Sequence, residues 1–200
     1  MRAAVPLLER APASSLLAFA CVVLAFAPEA WLAHLAYERG AIFKGEVWRL
    51  WTCHLVHFSV AQAVTDALVL LSMGALAEPV VGTRRLLLAF ILGGPFISLG
   101  LLASAPAMLE YRGASGIAMM AAVLAAAVMW RESSAWKVLV VALASVFAAK
   151  TLAEAGGGLS ASAVLPEFAR VAWQSHVLGA LSGVSILALA RWRSAGPLRL

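Results

Sequence analysis

Polar and apolar positions along this chain fall into long blocks. Six apolar runs, at about 13–33, 56–77, 86–104, 115–130, 136–153 and 172–190, alternate with shorter polar segments. Roughly 20 residues of helix cross the roughly 30 Å hydrocarbon layer of a bilayer. The pattern therefore predicts an all-α membrane protein of six transmembrane helices, with residues 1–200 as one membrane domain. The first run has a second reading, because Ala25-Phe26-Ala27 looks like a signal-peptide cleavage site. The loop that follows it reads as part of the fold, which favours a retained span.

Composition agrees with the blocks. The 200 residues are 63% hydrophobic and 12% charged, with a mean hydropathy of +0.92. A soluble domain of this length would have too little polar surface to cover itself. Two cysteines, Cys21 and Cys53, imply no disulfide framework. The net charge of +5 is of the sign that suits nucleic acid, but its distribution reads as a topology signal, so no nucleic-acid partner is expected. With the N-terminus inside, nine basic residues fall in inside segments (Arg2, Arg10, Arg84, Arg85, Arg131, Lys137, Arg191, Arg193 and Arg199). Six fall outside: Arg39, Lys44, Arg49, Arg112, Lys150 and Arg170. Both termini are thus predicted to be cytoplasmic. The inner connections, Glu78–Arg85 and Arg131–Ala135, are tight, whereas the outer ones, 34–55, 105–114 and 154–171, are longer. Gly156-Gly157-Gly158 predicts a flexible last outer loop.

Candidate chemistry gathers on that outer side. Tyr111-Arg-Gly-Ala-Ser-Gly116 stands where a polar loop meets the fourth run, which is only sixteen residues long. Anchored at its inner end by Arg131, so short a helix begins below the outer surface, where irregular backbone must be buried or line a wet cavity. The helix start offers unpaired N–H groups and the positive end of the macrodipole, suited to a developing oxyanion. Gly113 and Gly116 leave room for close approach. The bland alternative is that Ser115 is an N-cap with small neighbours. His176 lies about five residues into the last run, roughly 7 Å below its outer end. Gly179 and Gly183 follow on its face, a strip on which another helix can pack closely. A lone histidine in a membrane helix is more often a packed residue, but matching depth and the glycine strip favour a nucleophile–base pair of Ser115 and His176.

These residues resemble the rhomboid family of intramembrane serine proteases. G-A-S-G of the fourth run and H-V-L-G-A-L-S-G of the sixth match that family's two catalytic motifs. E-V-W-R-L-W-T-C-H-L-V-H-F-S, residues 46–59, resembles its Trp-Arg first outer loop. Y-R-G-A-S-G, Lys150-Thr-Leu-Ala-Glu154 and V-A-W-Q-S-H-V-L-G-A-L-S-G are further similar to the rhombosortase subgroup. The resemblance implies a six-helix rhomboid-like bundle in a bacterial-type inner membrane, with its site facing the periplasm and no cofactor or metal. It also implies a membrane-anchored protein substrate that enters sideways from the lipid. The subgroup implies cleavage near the Gly-Gly of C-terminal anchors of the GlyGly-CTERM type.

Departures from the family pattern give further expectations. The His and Asn that help form the oxyanion hole in many rhomboids correspond here to Gln62 and Asp66. Gln62 can donate an amide N–H. Asp66 is expected either to be protonated through burial or to turn away and pair with Lys150, the preferred reading. A simple Lys150–Glu154 pair is an equal alternative. Met119 replaces the aromatic residue that often packs on the base. No carboxylate is evident as a third member, since Glu110 sits in a surface loop. Cys53, His54 and His57 invite a zinc site but lack a fourth ligand, and the resemblance assigns His57 to the loop–helix junction. Trp48 and Arg49 suit an interfacial anchor, and Arg112 suits a substrate or a lipid phosphate. Two other classes stand beside the protease: a catalytically inactive rhomboid-like protein that binds transmembrane segments, and a small transporter. The presence of both Ser115 and His176 weighs against the first. The lack of a polar path through the inner halves weighs against the second.

Overall fold

The computed structural model describes residues 7–156 and 172–193. Gly157, Gly158 and most of the 154–171 loop lie outside the described residues, as do Arg2, Arg170 and Arg199 of the charge count. In chain order the elements are α1 (Leu7–Arg10), α2 (Pro12–Leu24), α3 (Glu29–Leu35), β1 (Tyr37–Glu38), α4 (Arg39–Phe43) and α5 (Arg49–Thr52). They continue with α6 (Val60–Val81), α7 (Thr83–Ser104), β2 (Glu110–Tyr111), α8 (Ser115–Met129), α9 (Ser134–Ala155) and α10 (Trp173–Arg193). Helices α6, α7 and α9, of 22 residues each, are long and apolar enough to cross a membrane. Shorter apolar helices are α2, α8 and the Trp173–Leu189 part of α10.

Each predicted apolar run contains a helix, with two boundary corrections. The first run does not continue to residue 33. It stops at Leu24, and Pro28, with φ −56° and ψ 142°, stands as the N-cap of the separate α3. Proline lacks the N–H that a continuing helix would need and crowds the preceding turn. The inner connection predicted at Glu78–Arg85 shrinks to Gly82, whose φ of +91° suits glycine and lets α7 begin immediately after α6. Glu78 is therefore no loop residue. It is buried in α6, where its carboxylate accepts hydrogen bonds from Ala13 N (2.8 Å), Ser14 N (3.0 Å) and Ser14 Oγ (2.8 Å). Helix α2 starts on Ala11, which has no side chain able to cap it, so Glu78 caps it from a neighbouring helix.

Helix α8 runs through the middle of the bundle, and Ile117, Met120, Leu124 and Ala125 are buried along its length. Leu70 of α6, Leu86 and Ile97 of α7, and Ala13 of α2 complete this core. Pro95 interrupts the hydrogen-bond ladder of α7 and leaves the carbonyl of Ile91 free. The indole N–H of Trp51 fills that vacancy at 2.8 Å. Ser98, one turn on, donates to Leu50 O at 2.9 Å, so α5 is fastened across α7 by two bonds. Helix α9 differs from the rest, since Thr151 is its one buried residue. Val138, Val141, Val146 and Leu152 are exposed along it. That surface is acceptable against lipid tails, which are as apolar as the side chains themselves.

Candidate active site

The segment leading into α8 is held from three sides before it turns helical. β2 pairs antiparallel with β1, Tyr37 opposite Tyr111 and Glu38 opposite Glu110, and Arg39 N donates to Leu109 O at 3.0 Å. Gly113 follows with φ +146°, where a side chain would be strained and a Cβ would lie 2.8 Å from Gln62 Nε2. Its N–H donates to Cys53 O (3.0 Å), and its carbonyl accepts from the Tyr111 hydroxyl (2.7 Å). Ala114 N then donates to Asp66 Oδ2 at 2.9 Å.

Ser115 is the first residue of α8, and Ala114 occupies the N-cap position. Ser115 is thus not itself the N-cap, and the small neighbours of the alternative reading are met by the close packing of Gly116. The Ser115 hydroxyl lies 3.2 Å from Nε2 of His176. Helix α10 reaches this distance because glycines line its contact with α8. A Cβ on Gly179 would collide with the backbone of Gly116, one on Gly116 would stand 3.0 Å from Ser175 O, and one on Gly183 would stand 3.0 Å from Met120 O.

The imidazole is framed from α9. The Phe147 ring meets it edge-on, with centroids 5.8 Å apart and planes at 62°. Glu154 Oε2 lies 3.5 Å from Nδ1, and the other Glu154 oxygen pairs with Lys150 Nζ. Sequence reasoning missed both contacts. Phe147, Lys150 and Glu154 recur at i, i+3 and i+7 on one helical face, which was the available signal. Met119, expected near the base, is half-buried, and the aromatic contact to His176 comes from Phe147 instead.

Several other expectations are corrected. Asp66 does not pair with Lys150. Its Oδ2 sits between Ala114 N and His57 Nε2 (3.2 Å), while Lys150 takes Glu154 one turn along its own helix. Gln62 spans the same region: its amide donates to Arg112 O (2.9 Å) and its carbonyl accepts from Phe58 N (2.9 Å), so one amide hydrogen is already committed. Arg112 is not offered to a substrate or a lipid phosphate. It is buried, bidentate to Glu29 at 2.6 and 3.2 Å, bonded through Nε to Glu110 at 2.7 Å, and stacked over Phe58. The Arg112 hydrogen bonds hold the Glu29 carboxyl below its usual range. Arg49, read as a phosphate anchor, is likewise buried, and its Nη1 donates to Ala33 O and Ala36 O, both at 2.7 Å. Trp48 donates to His34 O at 3.3 Å. Cys53 and His54 converge on Ser98 Oγ (3.4 and 3.0 Å), whereas His57 faces Asp66. The three do not point at one centre.

A serine hydroxyl in contact with an imidazole, beside a helix start, is equipped for nucleophilic attack on a carbonyl with the histidine as base. Compared with known families, residues 44–193 match the Rhomboid domain. No curated protein matches the chain.

Proposed function

The chain belongs to the rhomboid family, multi-pass membrane proteins that are typically serine proteases acting on transmembrane substrates, and on that premise we propose that it is an intramembrane serine endopeptidase with Ser115 as nucleophile and His176 as base. The observation that carries this reading is the 3.2 Å approach of Ser115 Oγ to His176 Nε2. The hydroxyl attacks the scissile carbonyl carbon as its proton passes to Nε2. The resulting oxyanion faces the N–H groups of the first turn of α8, which have no intrahelical partner. The uncommitted amide hydrogen of Gln62 is the second donor of this reading. The tetrahedral adduct collapses, the C–N bond breaks, and the departing amine takes the proton from Nε2. Water, deprotonated by the same imidazole, attacks the acyl carbon, and as the ester bond breaks Nε2 returns that proton to Ser115 Oγ. Apart from that water, every step uses groups of this chain.

The wider reading places one six-span domain over residues 1–200, with both termini cytoplasmic and the site on the periplasmic face of a bacterial-type inner membrane. The substrate is a membrane-anchored protein that enters sideways and unwinds at small residues. The three subgroup-like motifs support a reading in which cleavage falls near the Gly-Gly of a GlyGly-CTERM-type anchor. The test uses the full chain in detergent with a serine-directed fluorophosphonate. Labelling is expected in the wild type, absent in Ser115→Ala and sharply reduced in His176→Ala. Labelling that survives Ser115→Ala refutes the assignment. A reporter ending in Gly-Gly, an apolar helix and an Arg cluster should be cut faster than one carrying Leu-Leu in place of Gly-Gly. Equal cutting removes the subgroup reading.

A further inference from the structure

Two buried polar atoms face each other across α9 and α10, and neither has a hydrogen-bond partner among the described residues. They are Oε2 of Glu154 and Nδ1 of His176, 3.5 Å apart. Leaving both unmade in a buried place is costly, so their opposition asks for a reason. The Glu154 side chain is 4% exposed, yet Lys150, half in solvent, pairs with its other oxygen. That pairing keeps an anion beside the ring with one oxygen to spare. The remaining groups around the imidazole are Ser115 from α8 and the charges of Lys150 and Glu154 from α9 and of Asp66 from α6. Asp66 is already engaged by Ala114 N and His57, which leaves Glu154 as the carboxylate at Nδ1.

Building on the protease reading above, we propose that Glu154 is a positioning residue for His176: Oε2 accepts the Nδ1–H and so holds the tautomer whose Nε2 lone pair faces the Ser115 hydroxyl. An imidazole free to carry its proton on Nε2 could not accept one from serine. As Ser115 attacks, its proton moves to Nε2 while the Nδ1–H stays on the ring, and the imidazolium is balanced by the carboxylate. When the amine leaves with the Nε2 proton, the ring returns to neutral. No proton passes to Glu154. The present 3.5 Å exceeds a hydrogen bond by about 0.5 Å, and such contacts tighten as charge develops. Phe147 meets the same ring from one face of α9. A helix with Thr151 as its one buried residue thus turns Phe147 and Glu154 toward the base.

The experiment measures fluorophosphonate inactivation of the full chain in detergent, resolved into an affinity (KI) and a maximal rate (kinact), alongside thermal melting. Glu154→Gln and Glu154→Leu should each lower kinact roughly 10²- to 10⁴-fold with KI and the melting temperature close to wild type. Glu154→Asp should recover part of the loss. Wild-type kinact in either the Gln or the Leu variant overturns the proposal. So does a loss of labelling in both variants that tracks a loss of folded protein, which would make Glu154 purely structural. A wild type that is not labelled at Ser115 removes the protease reading, and this proposal with it, and is distinguishable from both results.

Discussion

Replacing Gly179 with alanine tests whether the α8–α10 approach sets the reacting distance. The added Cβ would stand 2.9 Å from the carbonyl carbon and 3.2 Å from the Cα of Gly116, and nearest of all to its carbonyl oxygen. These are backbone atoms of a helix, so no side-chain rotation relieves the collision. Restoring ordinary van der Waals separation moves the helices apart by about 1 Å. Overpacking of this kind costs about 1–3 kcal/mol. The effect on chemistry is larger, because Ser115 and Gly116 are adjacent and His176 lies one turn before Gly179. A separation of about 1 Å carries the 3.2 Å Ser115–His176 contact beyond hydrogen-bond reach. Misplacement on that scale lowers rates by about 10²-fold. The assay is the rate of fluorophosphonate labelling together with thermal melting in detergent. Gly100→Ala is the control, because its Cβ would meet the flexible side chain of Leu178 (Cδ atoms at 2.5 and 2.7 Å, Cγ at 3.1 Å) rather than backbone, and a rotamer change absorbs it. Wild-type labelling in Gly179→Ala, or equal damage in Gly100→Ala, would refute the reasoning.

Further tests concern parts of the frame away from the reacting atoms. Glu78→Gln weakens the cap on α2 by replacing a carboxylate that accepts three hydrogen bonds, and should lower stability by about 1–3 kcal/mol in a melt while leaving labelling intact. Ser98→Ala removes the donor to Leu50 O and the shared contact of Cys53 and His54, with an expected loss of about 1–3 kcal/mol by denaturant unfolding. The Glu29 carboxyl is depressed by Arg112, so its contribution is full above the unfolded value near 4.5 and fades as pH falls through the folded one. Melts of wild type and Glu29→Gln should therefore differ slightly at pH 7 and converge in acid, and a gap that widens on acidification would contradict this sign. The gap is small because Glu29 is largely exposed.

How far the sequence alone reached depends on the kind of force involved. Transfer of apolar residues from water is a local property summed along the chain, so the blocks of hydropathy locate α2, α6, α7, α8, α9 and α10 without knowledge of their neighbours. The opening of α8 at Ser115, after a loop with two glycines nearby, was legible for the same reason. So was the glycine spacing behind His176, since helical period converts sequence distance into a shared face. Partner choice among polar groups was not legible. Asp66 had Lys150, His57 and a backbone N–H as chemically acceptable partners, and only the rotation of α6 against the Gly113–Ala114 turn selected the last two. Arg112 became a clamp because α3 brings Glu29 beside it, 83 residues away in the chain. Glu154 and Phe147 meet His176 because one face of α9 turns inward. Hydrogen bonds and ion pairs act over a few ångströms and depend on direction, so they are settled by how helices are rotated and offset, and that arrangement exists only once the chain has packed.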